Sequence, residues 1–263
     1  MSTNLNLMIN RVVFFSLLLI IVASCNKSVS DSFVLEGSIE GGKTLDSIYL
    51  NYYSLQNNEW YEICDTAKII DGKFIFKGKL EGLTLAYLNF DSKGIELYIE
   101  PCSMKLNIDA KQPYTYGLSG TGVDKENEEI KKAVGSYERL MDEKSNVMVD
   151  LINEFNRINQ MQLPDNSSII DSLLNIIHSN SAEMILLNKE KHKVYIDFAS
   201  KHKSYKISPA LLYRASKFDF VGKDTILSVY NSLSENLKTS LMGKLAIDRF
   251  YNRGKLLVPW WVI

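Results

Sequence analysis

Between residues 33 and 120 apolar and polar positions alternate in short runs; after residue 122 the apolar positions recur every three or four. A period of two marks strands with one buried face, and a period near 3.6 marks helices. Residues 33–39 and 47–53 are rich in β-branched and aromatic side chains, with Gly41-Gly42-Lys43 between them as a turn. Residues 60–70 read as a third strand. Asp71-Gly72 follows as a tight hairpin turn, because glycine readily adopts the positive φ that a two-residue turn demands. Residues 73–80 place Phe74 and Phe76 on one face, and residues 85–90, 95–99 and 104–108 repeat the pattern around Gly94 and Pro101. Seven or eight short strands at this spacing predict an antiparallel β-sandwich or a partly closed barrel.

In the second half, Ile130, Val134, Tyr137, Met141, Met148, Ile152 and Phe155 fall at steps of three, four or seven and mark one helix face. Pro164-Asp165-Asn166 breaks that run, and Ser167 or Ser168 caps the next helix. Leu173, Ile177, Met184, Leu187, Val194 and Phe198 form a second stripe, so two long antiparallel helices are expected. A third begins after Ser208-Pro209, and residues 224–233 and 237–251 read as two more. The expected fold is α+β, with a β-domain over residues 33–122 and a helical domain over 123–255. A hydrophobic tail, residues 256–263, follows. The lysines around Lys189-Glu190-Lys191 read as solvated helix surface.

The N-terminal segment has a different character. Arg11 precedes residues 12–23, twelve positions without a charge. That suits a signal-peptide core and falls short of the roughly 18–20 residues of a membrane-spanning helix. The run closes on Val22-Ala23-Ser24-Cys25, which resembles a bacterial lipobox. That resemblance implies cleavage after residue 24, acylation of Cys25, a short polar tether over residues 25–32, and membrane attachment of an exported protein. Asn26 is not the aspartate associated with inner-membrane retention, which points to the outer membrane. An ordinary secretory signal with an incidental cysteine is the alternative.

Charge narrows the partners. Without residues 1–24 the chain carries 29 basic and 31 acidic side chains and no contiguous basic stripe, so nucleic acid is not an expected partner. With Cys25 assigned to lipid, Cys64 and Cys102 remain, 38 positions apart. They are not a C-x-x-C pair; they either form a structural disulfide or sit as two buried free thiols. His178, His192 and His202 lack the close spacing of a helix-borne zinc pair, so no metal or cofactor is expected and surface or boundary positions are their default. Glu128-Glu129 and Glu143 show no convergence in sequence, and no catalytic residue is assigned. The glycine-rich stretch over residues 117–122 lacks the lysine of a phosphate loop and reads as a strand-to-helix connector. Trp60, Tyr52 and Tyr61 are candidates for a glycan- or peptide-binding surface, although half-buried strands select the same side chains for packing.

The stretches Asp65-Thr66-Ala67-Lys68-Ile69 and Asp71-Gly72-Lys73-Phe74-Ile75-Phe76-Lys77-Gly78, followed by Ile99-Glu100-Pro101 and Leu118-Ser119-Gly120, resemble a known arrangement. It is the uncharacterised N-terminal β-domain of thioredoxin-like lipoproteins of Bacteroidota, of the AhpC/TSA and TlpA/ResA type. In that family the β-domain and a helical linker precede a thioredoxin domain with a W-C-x-x-C site. This sequence has Trp260-Trp261-Val262-Ile263 at its end and no cysteine after Cys102, so the redox chemistry is not carried over. Cys102 also stands where the resemblance leads one to expect glycine. The resulting expectation is a membrane-anchored, non-catalytic accessory or protein-interaction module with envelope proteins as partners. The alternatives are a truncated oxidoreductase lacking its thioredoxin domain and a glycan- or peptide-binding lipoprotein.

Overall fold

The computed structural model describes residues 31–41, 45–90, 93–161 and 167–251. The signal segment and Cys25, the Pro164 break and the tail over 256–263 lie outside the described residues. Eight strands come first: β1 Ser32–Glu40, β2 Ser47–Gln56, β3 Glu59–Lys68, β4 Lys73–Lys79, β5 Thr84–Phe90, β6 Lys93–Ile99, β7 Ser103–Asp109 and β8 Gly117–Ser119. Six helices follow: α1 Asp124–Gln160, α2 Ser167–Lys201, α3 Ser208–Ser216, α4 Lys223–Ser232, α5 Glu235–Lys238 and α6 Leu241–Tyr251. The α+β class and the order of strands before helices are as the sequence implies.

The strands form two four-stranded sheets, β4-β1-β7-β8 and β3-β2-β5-β6, and no closed barrel. Between them lies a core that includes Phe33, Leu35, Leu50, Phe76, Leu88, Leu97, Met104 and Leu106. Fully burying one such side chain contributes roughly 1.5–3 kcal/mol. The expectation of purely antiparallel strands needs correction, because β1 pairs with β7 in parallel, Leu35 opposite Met104 and Gly37 opposite Leu106. A parallel pair needs a long crossover rather than a turn, so no local signal announces it. Gly37 faces β4 on its other side, where a Cβ would overlap the Phe74 ring.

The Asp71-Gly72 turn forms as expected, with φ of 51° and 71° and a narrow hydrogen-bonded pair between Ile70 and Lys73. It does not join a hairpin within one sheet. Only the bridge at Ile70 and Lys73 pairs across it; β3 then stays with β2 while β4 crosses to β1. Continuous hairpins are instead β5–β6 and β2–β3, the latter turned by Asn57 and Asn58, both at positive φ. Asparagine tolerates that region better than most residues.

Residues from Ser32 onward form one compact unit. Strand β5 explains why. Its Ala86, Leu88 and Phe90 face the sandwich core, while Leu85 and Tyr87 join a second core with Tyr53, Tyr98 and the helices. Trp60 of β3 donates to Asp248 of α6 at 2.7 Å across the same interface. The result is three layers: sheet, sheet, helices.

Helices α1 and α2 pair along their lengths, and α1, at 37 residues, extends roughly 55 Å. They meet the body only at one end. Asn127, Ile130 and Val134 are buried in the first turns of α1, and the run from His192 to Ala199 is largely buried near the end of α2. Elsewhere along the pair only Ile158 and Asn180 are buried, and Ile152, expected on the inner stripe, is exposed. An ion pair between Lys144 and Glu183, and a 3.0 Å bond from the Asn180 amide to the Lys144 carbonyl, tie the helices together there. Among the described residues no helix is long and apolar enough to cross a membrane.

Candidate functional site

The site grows from the alternation of β6, the edge strand of the second sheet. Ile95, Leu97 and Ile99 point into the sandwich, which turns Glu96 and Tyr98 towards the helices. Helix α1 contributes Lys131, Val134, Glu138, Met141 and Asp142 at helical spacing. Helix α2 contributes Asn188, Lys191, His192 and Tyr195, also on one face. Arg214 of α3, with Lys217 and Phe218 just beyond it, closes the third side. The pocket, open to solvent, measures about 370 Å³.

Its interior is strongly polar for a space between layers. Glu96 pairs with the Arg214 guanidinium and lies 3.3 Å from the Lys217 ammonium. Burial works against the Arg214 cation, but the Glu96 carboxylate, together with Tyr195, Tyr98 and Glu138, outweighs it and holds the pKa well above the ordinary value. The guanidinium also stacks 4.3 Å over the Tyr195 ring. Lys217, with only 6% of its side chain exposed, bonds the Tyr87 hydroxyl and lies over the Tyr87 and Tyr213 rings. Burial, helped by Arg249, pushes its pKa down to about 7. The Glu96 carboxylate beside it is already shared with Arg214. Tyr116 donates to the Glu96 carbonyl at 2.5 Å, and Lys131 donates to the Tyr116 carbonyl at 3.0 Å.

His192 is buried and edge-on to Tyr195, Phe218 and Phe220. Burial pushes its pKa down to about 4, so the ring is neutral. With Nδ1 donating 2.7 Å to the Asn188 carbonyl, Nε2 is left as an acceptor. Among the described residues the hydroxyls of Tyr98 and Tyr195, on residues 2% and 1% exposed, make no hydrogen bond of good geometry, although Arg214 lies close enough to act on the Tyr98 hydroxyl. Burial pushes Tyr98 up to about 12 and Tyr195 well above its ordinary value. An unsatisfied buried hydroxyl costs roughly 1–3 kcal/mol, so two at one pocket demand a partner. Lys191 likewise makes no hydrogen bond or ion pair among the described residues, and burial followed by Arg214 pushes its pKa down. Such an arrangement can fix charged groups of a small ligand in a water-poor setting.

Most of this site is absent from the sequence-based candidates. Lys191, read as solvated surface with its neighbours, lines the pocket; only Lys189 is exposed as expected. Its position four residues after Leu187, on the apolar stripe itself, is the signal that sets it apart. Glu138 stands four after Val134 in the same way. His192 is buried rather than at the surface, whereas His178 is exposed.

The aromatic candidates do not converge. Tyr52 is 5% exposed, sits in the sandwich core and donates to Asp65 at 3.1 Å, so it belongs to no surface. Trp60 is half-buried against the helical core. Tyr61 alone is open, 43% exposed, with its hydroxyl on Glu59. Cys64 and Cys102 are both free thiols in this structure, but Cys64 is exposed on β3 and Cys102 half-buried, rather than both buried. Cys102 donates to the Gly120 carbonyl at 3.3 Å, and burial, with Glu100 and Asp124, pushes its pKa up. Glu128 and Glu143 pair with Lys131 and Arg139 on the helix surface, and Glu129 accepts from Tyr205, so these carboxylates form no common site. The glycine-rich stretch over residues 117–122 does connect β8 to α1, with Asp124 accepting from the backbone of Gly120 and Thr121.

Residues 33–129 match the family described as Domain of unknown function (DUF4369). The match spans all eight strands and the first turns of α1. It therefore includes Glu96, Tyr98 and Tyr116 but not Glu138, Lys191, Arg214 or Lys217. No curated protein and no solved structure matches the chain.

Proposed function

We propose that this chain is a non-catalytic, lipid-anchored module of the bacterial cell envelope that binds a small polar ligand between its edge strand β6 and its helices. The observation that carries the reading is a pair of buried hydroxyls, Tyr98 and Tyr195, without a well-placed hydrogen bond among the described residues, at a pocket of about 370 Å³ beside Lys191, which is unpaired among the same residues. Ligand pockets combine an apolar lining with a few convergent polar groups, and Ile130, Val134 and Met184 supply the former here. The lipobox ending in Cys25 supports attachment to a membrane, the outer one, where envelope proteins are the available partners. The resemblance to the β-domain of thioredoxin-like Bacteroidota lipoproteins supports the same compartment.

A non-catalytic role is supported by the thiols and by Lys217. Cys102 has a raised pKa, which disfavours the thiolate that redox chemistry needs, and it does not stand in a C-x-x-C pair. Lys217 lines the pocket, but its amine is already engaged by the Tyr87 hydroxyl and Glu96 and lies over the Tyr213 ring.

The test is to purify the chain from its native membrane and identify small molecules released on denaturation by mass spectrometry. A species present with the wild type and lost with the pocket-filling variant Val134→Trp is the expected result; no such species overturns the binding reading. Labelling with a palmitate analogue should disappear in Cys25→Ser. Insulin reduction that depends on Cys64 or Cys102 would contradict the non-catalytic role.

A further inference from the structure

Once internal pairs are set aside, the pocket retains unpaired charge of both signs. Arg214 and Lys217 are both occupied by Glu96, and Lys131 is held by the Tyr116 carbonyl with Glu128 at 3.6 Å. Lys191 on α2 is left without a hydrogen bond or ion pair among the described residues. On the facing wall, Glu138 and Asp142 lie one turn apart on α1 and are equally unpaired there. Glu138 acts on Lys191 through space but forms no ion pair with it. Leaving partly buried charges of both signs apart costs free energy that a suitably charged guest recovers.

We infer that the pocket takes a zwitterion with an apolar body, an apolar α-amino acid or dipeptide, its carboxylate at Lys191 and the tyrosine hydroxyls and its ammonium at Glu138 and Asp142. The inference depends on the reading above that the pocket holds a ligand. A ligand with only an anionic group leaves the two carboxylates of α1 uncompensated; one with only a cationic group leaves Lys191 and both hydroxyls as they are. The space of about 370 Å³ lies at the small end of the roughly 300–1,000 Å³ of ligand cavities, which suits one or two residues rather than a longer peptide. Ile130, Val134 and Met184 offer apolar contact to a side chain between the charged ends.

The test uses the full chain, refolded from denaturant to clear the pocket, and calorimetry with matched probes. These are L-leucine, L-alanyl-L-leucine, N-acetyl-L-alanyl-L-leucine and L-alanyl-L-leucinamide. The expected result is binding of one or both zwitterions, with the acetylated and amidated dipeptides each weaker by about tenfold or more, as loss of one charge-assisted hydrogen bond implies. Glu138→Gln should weaken the parent dipeptide while barely changing the acetylated one. Lys191→Met should do the same relative to the amide, and cooperative unfolding of both variants checks that they are folded. Equal affinity for the acetylated and parent dipeptides overturns the inference in favour of a simple anion site; equal affinity for the amide overturns it in favour of a cation site. If no probe binds but the natively purified chain releases a species of other chemistry, the zwitterion inference fails and the ligand pocket stands.

Discussion

His192 links one side chain to the acid stability of the whole protein. Its folded pKa of about 4 lies below its ordinary value of 6.5, so between these values the unfolded chain takes up a proton that the folded chain refuses. Stability is therefore unaffected above pH 6.5 and is lost as pH falls from there towards 4. His192→Leu should flatten that limb, measured as urea midpoints at pH 7.5, 5.5 and 4.5; an unchanged slope contradicts a neutral buried ring. Lys217 works on the alkaline side. With a folded pKa of about 7 against an ordinary 10.5, it makes the wild type gain stability relative to Lys217→Met as pH rises from 7 to 9.5, by at most about 1.4 kcal/mol per pH unit. The window stops there because Tyr53 and Tyr98, both pushed up to about 12, favour the unfolded state above pH 10. Neither histidine nor lysine declared its burial in the sequence. A polar residue on an apolar stripe can snorkel to solvent or line a pocket. Which occurs at Lys191 depends on Glu96 and Arg214, supplied by distant parts of the chain.

The elements themselves were legible because each strand and helix carries its own period, and both survive packing. What joins them was less so. Asp71-Gly72 correctly specifies a turn, but a turn sets only the path of two residues; where β4 goes next depends on Gly37 admitting the Phe74 ring beside β1. Gly37→Val should therefore destabilise the protein by about 1–3 kcal/mol, a cost typical of overpacking, seen as a lower denaturant midpoint. A midpoint within error of the wild type would mean that the β1–β4 register tolerates a side chain there. The parallel β1–β7 pair left no trace in the sequence because its partners are brought together by everything between them.

At the level of the whole molecule, strand β5 and most of β6 in the second sheet are buried on both faces. Residues 33–122 expressed alone would expose Leu85, Tyr87, Tyr98 and Tyr53, an apolar patch normally covered by helices, and should aggregate or fail to unfold cooperatively. A soluble, cooperatively folded fragment would show that the helices are dispensable. The far part of the α1–α2 hairpin is a different case. Replacing residues 147–180 with a short glycine-serine turn removes, among the described residues, only two buried ones, Ile158 and Asn180, and should leave a folded body, as judged by a retained cooperative thermal transition. The sequence did not announce this division, because Met148, Ile152 and Phe155 continue the stripe of Ile130 and Val134. The pocket escaped it because its walls come from β6, α1, α2 and α3 at once. One arrangement also has a mechanical meaning. The segment before Ser32 enters the body through β1, which is flanked by β4 on one side and β7 on the other. A pull on that segment loads two ladders of backbone hydrogen bonds together in shear, whereas an edge strand would peel one bond at a time. An anchor at Cys25 would thus tug on one of the most firmly held strands of the molecule.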